Sequence, residues 1–274
     1  MIRKLYSVLI FSVLFLSCED LPDLSDILDS VAGGQSAEAT IVSHLETFTS
    51  STASISWEGD EDGFTNSYSY RLVPKSYLVD TVHTYTSWSA WDGGTGVELL
   101  FLDEGSYEFY LKGRINKDNV VSTSTTFEVD AITQPTLRIY PLKQTVSPGA
   151  QFHIYLYAEH INGVKGIEVQ LDLSNDNITY SDWATGGVFS TGSEYSIFPP
   201  PSVEGQTIIF SSAITGSGLS GSHLEIAKLT FTFSGAALSS TTIGINVTNS
   251  LLRDVNNQDI QIIDRVQGII EGSE

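Results

Sequence analysis

Ile167-Glu168-Val169-Gln170-Leu171-Asp172-Leu173 alternates apolar and polar residues without a break. Successive side chains of an extended chain point to opposite faces, so this pattern predicts a strand with one buried face. Ile167, Val169, Leu171 and Leu173 turn inward, and Glu168, Gln170 and Asp172 form an outward polar row. Upstream, Gln151–Ala158 alternates in the same way, with Phe152, Ile154, Leu156 and Ala158 on one side. Asn162-Gly163 between the two stretches reads as a turn, and Val146-Ser147-Pro148-Gly149 as another. Leu137–Leu142 precedes them, and Thr207–Ala213, Leu224–Phe233, Thr241–Val247 and Ile260–Ile270 supply further strands. Eight or nine strands in about 135 residues predict a jelly-roll β-sandwich over residues 136–271.

Residues 39–131 carry a second set of shorter strands. Ala53-Ser54-Ile55-Ser56-Trp57 puts Ala53, Ile55 and Trp57 on one face, and Tyr68-Ser69-Tyr70-Arg71-Leu72 alternates next. Val97–Leu102, Tyr107-Glu108-Phe109-Tyr110-Leu111 and Thr126-Phe127-Glu128-Val129 follow. Seven or so strands in about 90 residues predict an immunoglobulin-like sandwich. Thr133-Gln134-Pro135 separates the two units and reads as a hinge, because Pro135 lacks a donor and restricts its predecessor. The fold class expected is therefore all-β, two sandwiches in tandem.

Particular residues carry two family resemblances. Trp57, Tyr68–Leu72, Ser87-Trp88-Ser89-Ala90-Trp91, Leu102-Asp103-Glu104-Gly105-Ser106-Tyr107 and Phe127-Glu128-Val129 resemble, in that order, a bacterial fibronectin type III-like domain. The resemblance implies a spacer, with Tyr107 as the corner tyrosine bonded back to the backbone. Val146–Phe152, Val164-Lys165-Gly166-Ile167-Glu168, Gly216-Ser217-Gly218-Leu219-Ser220-Gly221, Leu224–Phe231, Leu252-Arg253-Asp254 and Gly268-Ile269-Ile270 resemble a cohesin domain of the carbohydrate-binding-module-like superfamily. That resemblance implies a partner-binding face: Glu168 at an acidic contact position, Gln170 and Asp172 along the same row, and Ser211 and Ala213 beside them. The implied partner is a dockerin-like or other secreted protein. Ile214 stands where an acidic residue is expected in the cellulosomal type, a departure from the family pattern.

The N-terminus fixes the expected compartment. Arg3 and Lys4 precede an apolar run from Leu5 to Phe15, and Leu16-Ser17-Cys18 follows. The run is shorter than the roughly 20 residues of a membrane-spanning helix. A basic start, a short apolar core and a small residue before the cut form a secretory signal over residues 1–17. Phe15-Leu16-Ser17-Cys18 resembles a lipobox, although leucine is usual where Phe15 stands. The expectation is lipidation at Cys18, the chain's one cysteine, followed by a tether over residues 18–38. That predicts a protein held to the bacterial envelope by its lipid alone, at the outer membrane or cell surface. Lipidation would leave no thiol for a disulfide, so the sandwiches must hold by packing.

The 274 residues include 33 acidic and 13 basic ones, for a formal net charge of −20. Nucleic-acid binding needs a basic surface and is not expected. His44, His83, His153, His160 and His223 make no spaced metal pair, and no nucleophile motif accompanies them. The expectation is a non-catalytic protein without a cofactor. Asp254–Asp259 offers oxygen ligands at alternate positions but lacks the glycine and terminal glutamate of a calcium loop, so it reads as a turn. A polysaccharide is the alternative ligand, and a purely structural envelope component is the further alternative. Tyr180, Trp183 and Tyr195 are the candidate sugar-stacking residues, with Phe198 and Pro199-Pro200-Pro201 nearby, and Trp88 and Trp91 are the counterpart in the first unit. The other reading of each aromatic is packing, as a cap on the core.

Overall fold

The computed structural model describes residues 36–43, 47–60, 64–77, 87–187, 196–197 and 199–274. The described residues form an all-β structure with two separate hydrophobic cores. The expected signal segment, Cys18 and most of the tether lie outside the described residues, as do His44, His83, Tyr195 and Phe198. Among the described residues no helix is long and apolar enough to cross a membrane.

The first sandwich contains β1 (Thr40–Ile41), β2 (Thr47–Phe48), β3 (Ala53–Glu58), β4 (Ser67–Tyr77), β5 (Gly96–Leu99), β6 (Gly105–Arg114) and β7 (Val120–Val129). One sheet runs β1-β3-β5 and the facing sheet β2-β7-β6-β4. Strand β3 buries Ala53, Ile55 and Trp57 and exposes the residues between them. Trp57 stacks on Phe109 and donates Nε1–H to the Gly94 carbonyl at 3.0 Å, which satisfies its one polar atom inside the core. Tyr107 is buried, and its hydroxyl donates to the Asp103 carbonyl at 2.6 Å.

The second sandwich opens with β8 (Thr136–Tyr140), β9 (Lys143–Val146), β10 (Gln151–Val164), β11 (Gly166–Leu173) and β12 (Ile178–Thr185). It continues with β13 (Ser196–Ile197), β14 (Ser202–Glu204), β15 (Thr207–Ile214), β16 (Leu219–Phe233) and β17 (Ser240–Ile245). It ends with β18 (Leu251–Arg253), β19 (Asp259–Ile260), β20 (Asp264–Val266) and β21 (Gly268–Gly272). One sheet runs β12-β16-β10-β8-β20. The other follows β13-β15-β11-β17-β21-β9, with β14 on β15, β18 on β11 and β19 on β18. Between them lie Val169, Leu171, Ile208 and Phe210 from one sheet and Ile154, Leu156, Leu229 and Phe231 from the other, all fully buried. Burying such a side chain contributes roughly 1.5–3 kcal/mol. Central strands with an apolar residue at every second position are what hold this sandwich without a disulfide.

Three local features differ from the sequence reading. Asn162-Gly163 is not the turn between two strands but lies inside β10. There His160 and Gly163 take positive φ values of 52° and 68°, and the register against β16 shifts between Ile161 and Val164. The bulge bends β10 so that the chain leaves one sheet at Val164 and enters the other at Gly166. Ile178–Thr185 is a strand although its sequence does not alternate, because β16 supplies its hydrogen-bonding partners.

The junction, thirdly, is not a free hinge. Arg138 on β8 donates through Nη2 to Asp103 of the first sandwich at 2.7 Å and through Nη1 to Glu159 on β10 at 3.3 Å. The Leu142 amide donates to the same Asp103 oxygen at 2.9 Å. The connecting segment is held too: the Ile132 amide donates to Glu104, and His160 Nε2 to the Ile132 carbonyl at 2.7 Å. Arg138 and Glu159 are fully buried and Asp103 nearly so. Burial pushes the Asp103 carboxyl up, against the pull of the Arg138 charge.

Candidate functional site

The outward row on β11 meets β15 in antiparallel register, Gly166 opposite Ala213, Glu168 opposite Ser211, Gln170 opposite Ile209 and Asp172 opposite Thr207. Paired residues of an antiparallel ladder share a face. Glu168, Gln170, Asp172, Ser211 and Ala213 therefore lie on one outward surface, although the 33 residues from 174 to 206 separate the two strands. Ile214 is on the other side of β15, buried in the core, so it takes no part in this face. The pleat decides this: Ala213 is the outward residue of the pair.

The five residues do not have the same freedom. Gln170 Nε2 donates to Asp172 Oδ1 at 2.8 Å, and Thr207 Oγ1 to the same oxygen at 3.3 Å. Asn246 Nδ2 donates to Asp172 Oδ2 at 2.7 Å, and Asn249 Nδ2 to Gln170 Oε1 at 2.9 Å. Partial burial tends to raise the Asp172 carboxyl, but the Gln170, Asn246 and Thr207 donors outweigh it and hold it below the usual carboxylate range. Gln170 and Asp172 thus form a half-buried polar seam that fastens β11 to the loop after β17. Glu168 is exposed, and its carboxylate takes no hydrogen bond among the described residues.

Beside Glu168 the surface dips into a shallow depression of about 340 Å³. Glu168, Ser211, Ala213, Pro199, Leu251 and Arg253 line it, over a floor from Gly166, Ile167 and Ser212. Leu251 and Arg253 arrive because β18 pairs with the start of β11, Arg253 opposite Gly166 and Leu251 opposite Glu168. Arg253 is aimed by two neighbours, donating to the Asn257 carbonyl at 3.2 Å and pairing with Asp259 at 3.0 Å. The sequence reading missed Pro199, Leu251 and Arg253 as site residues. Leu252 between the last two is fully buried, and that period-2 signal could have turned both outward. The depression offers a carboxylate, a guanidinium and a hydroxyl around a small apolar patch. Such a surface can receive a small apolar side chain flanked by polar groups.

The candidate stacking residues sit elsewhere. Tyr180 and Trp183 on β12 are half-buried and pack on the second core, Tyr180 edge-on to Phe231 at 5.9 Å between centroids. In the first sandwich, cationic side chains cover both tryptophans. Lys112 Nζ is 3.9 Å from the Trp88 centroid, Arg71 also lies over Trp88, and the Arg114 guanidinium is 4.2 Å from the Trp91 centroid. Those ring faces are engaged by cations. The Asp254 carboxylate caps its own turn, accepting the Asn256 and Gln258 amides at 2.8 Å each. The loop is a tight β18–β19 connection built on that bond. His153, on the outward side of β10, shares a hydrogen bond with Thr230 at 3.1 Å.

No protein-family model matches the sequence, and no curated protein matches it. Among solved structures, the chain is similar to a non-cellulosomal cohesin from the archaeon Archaeoglobus fulgidus, with 16% identity over 51% of this chain and 90% of that one and a TM-score of 0.42. It is similar to the sixth cohesin of scaffoldin B from Acetivibrio cellulolyticus, solved in complex with a dockerin, with 16% identity over 52% of this chain and all of that one, at a TM-score of 0.43. A type I cohesin–dockerin complex from Clostridium thermocellum gives 17% identity, coverage of 50% and 92%, and a TM-score of 0.40.

Proposed function

We propose that this chain is a non-catalytic binding protein of the bacterial envelope. Its second sandwich receives a dockerin-like domain of a secreted protein on the outward face of β11 and β15. The first sandwich is the spacer, and a lipid on Cys18 is the anchor. A role in polysaccharide breakdown follows if the captured partner carries an enzyme. The observation that carries the reading is the depression beside Glu168. It lies on an open sheet face, it is bordered by an unengaged carboxylate, and three of the five residues marked as the partner face line it. The sequence motifs that resemble a cohesin domain support it independently. The high negative charge suits a partner that presents basic residues to this surface.

The contact centres on Glu168, Ser211 and Ala213, with Arg253 and Leu251 at the rim, whereas Gln170 and Asp172 hold the strand in place. The test is calorimetric titration of the purified chain with dockerin-bearing proteins encoded in the same genome. Glu168→Arg reverses the charge at the rim and Ala213→Trp fills the depression. Each should weaken binding by about tenfold or more, the loss of a central contact worth over 1.4 kcal/mol. Unchanged affinity in both variants would move the contact to another face. Absence of binding to every such protein would remove the dockerin reading.

A further inference from the structure

We propose that Glu104, Glu159 and His223 form a binding site for one divalent transition-metal cation of the zinc class, which clamps the two sandwiches together. The three residues come from different parts of the chain. Glu104 lies in the first sandwich between β5 and β6, while Glu159 on β10 and His223 on β16 are directly opposite each other in the ladder of the second. One ligand atom from each lies within 4.8 Å of the other two, close enough for a single cation to touch all three.

The charge at this junction points to a ligand. Three carboxylates, Asp103, Glu104 and Glu159, meet one guanidinium, Arg138. Arg138 is spent mainly on Asp103 at 2.7 Å and reaches only Oε1 of Glu159, at 3.3 Å. Glu159 has no exposed side-chain surface, and its Oε2 is buried without a hydrogen-bond partner. A buried carboxylate oxygen in that state carries a large desolvation cost unless a cation or a proton meets it. His223 Nδ1 is 3.9 Å from Glu159 Oε1, and about a third of its side chain is exposed, which gives an ion a path from solvent. Two carboxylates and one imidazole are a borderline donor set that suits zinc-like cations. Calcium takes six to eight oxygen ligands and is poorly served by it. The surroundings also orient the ligands: the Ile132 amide donates to Glu104, and Arg138 Nη1 donates to Glu159 Oε1.

The experiment titrates Zn²⁺, and separately Ca²⁺, into metal-stripped chain by calorimetry while following the thermal transition. The unmodified chain should take up one equivalent of Zn²⁺ and melt at a higher temperature with it. His223→Ala and Glu104→Gln should lose affinity by more than the roughly 10–100-fold that removal of an outer-shell partner costs. Both variants are checked by circular dichroism in the absence of metal, so a folding defect is not read as a lost ligand. Asp254→Asn, in the exposed acidic turn, should bind Zn²⁺ as the unmodified chain does. Failure to bind one equivalent, equal binding by His223→Ala, or a preference for Ca²⁺ over Zn²⁺ would each overturn the proposal.

Discussion

Glu168 and Asp172 sit four residues apart on one outward row, yet their surroundings give them different work. Asp172 accepts from Gln170, Thr207 and Asn246. Asp172→Ala leaves three donors unmatched and should cost about 1–2 kcal/mol in urea unfolding. Glu168→Ala should stay within about 0.5 kcal/mol, since an exposed side chain without partners has little to lose. Equal losses would mean that the seam is not what fastens β11. Asp60 gives a pH-dependent counterpart in the first sandwich. Burial tends to raise its carboxyl, but donors from Thr65 and from the Phe64 and Thr65 amides outweigh it and hold it at about 2. A folded-state value below the ordinary one near 3.8 stabilises the fold at higher pH, and that contribution is lost as pH falls toward about 2. The melting temperature of Asp60→Ala should therefore lie below that of the unmodified chain from pH 5 to 7 and converge with it near pH 2. A gap that persists at the acid end would assign the effect to packing instead.

Strand by strand, alternation was the legible signal, and it failed where tertiary contacts override it. Strands β3, β10 and β11 are written in the sequence because each buries every second residue of at least part of its length. Strand β12 is not, since its residues are largely exposed and only its pairing with β16 keeps it extended. That pairing ends in a tight approach at Gly186. Its amide donates to the Ile226 carbonyl at 2.9 Å, and a Cβ there would come within 1.7 Å of the Glu225 carbonyl oxygen. The obstacle is backbone, so it cannot swing away. Gly186→Ala should destabilise the second sandwich by about 2–3 kcal/mol, at the upper end of overpacking costs. Hydrogen exchange should show faster exchange along β12 before β10. Wild-type stability in this variant would show that the end of β12 is free to move.

For the molecule as a whole, the question is whether two sandwiches behave as one body. Arg138 ties Asp103 of the first to Glu159 of the second inside a buried junction. Removing one partner from such a cluster typically costs about 3–5 kcal/mol, because the remaining charges stay buried without compensation. Arg138→Met should therefore lower stability by that order. It should also convert a single calorimetric transition into two, as the modules melt independently. Two transitions in the unmodified chain would show that the junction does not couple them. Little of this is legible in the sequence. Asp103-Glu104-Gly105-Ser106 reads as an ordinary turn, and Arg138 is one charge in an apolar run. The hint was that Leu-Arg-Ile-Tyr and Ala-Glu-His-Ile each place a charged residue in a stretch that is otherwise core.

The sequence by itself determined the all-β class and the inward and outward sides of the central strands, because side-chain period is a local property of an extended chain. It likewise put Glu168, Gln170 and Asp172 on one row. Only the tertiary structure decided which of them is free. Asn246, Thr207, Leu251 and Arg253 reach that face through pairings that no local pattern encodes. It also decided that Asp103, Glu104, Arg138 and Glu159 share one buried junction with His223 at its solvent edge, since the distances between them depend on how two sheets and two sandwiches pack.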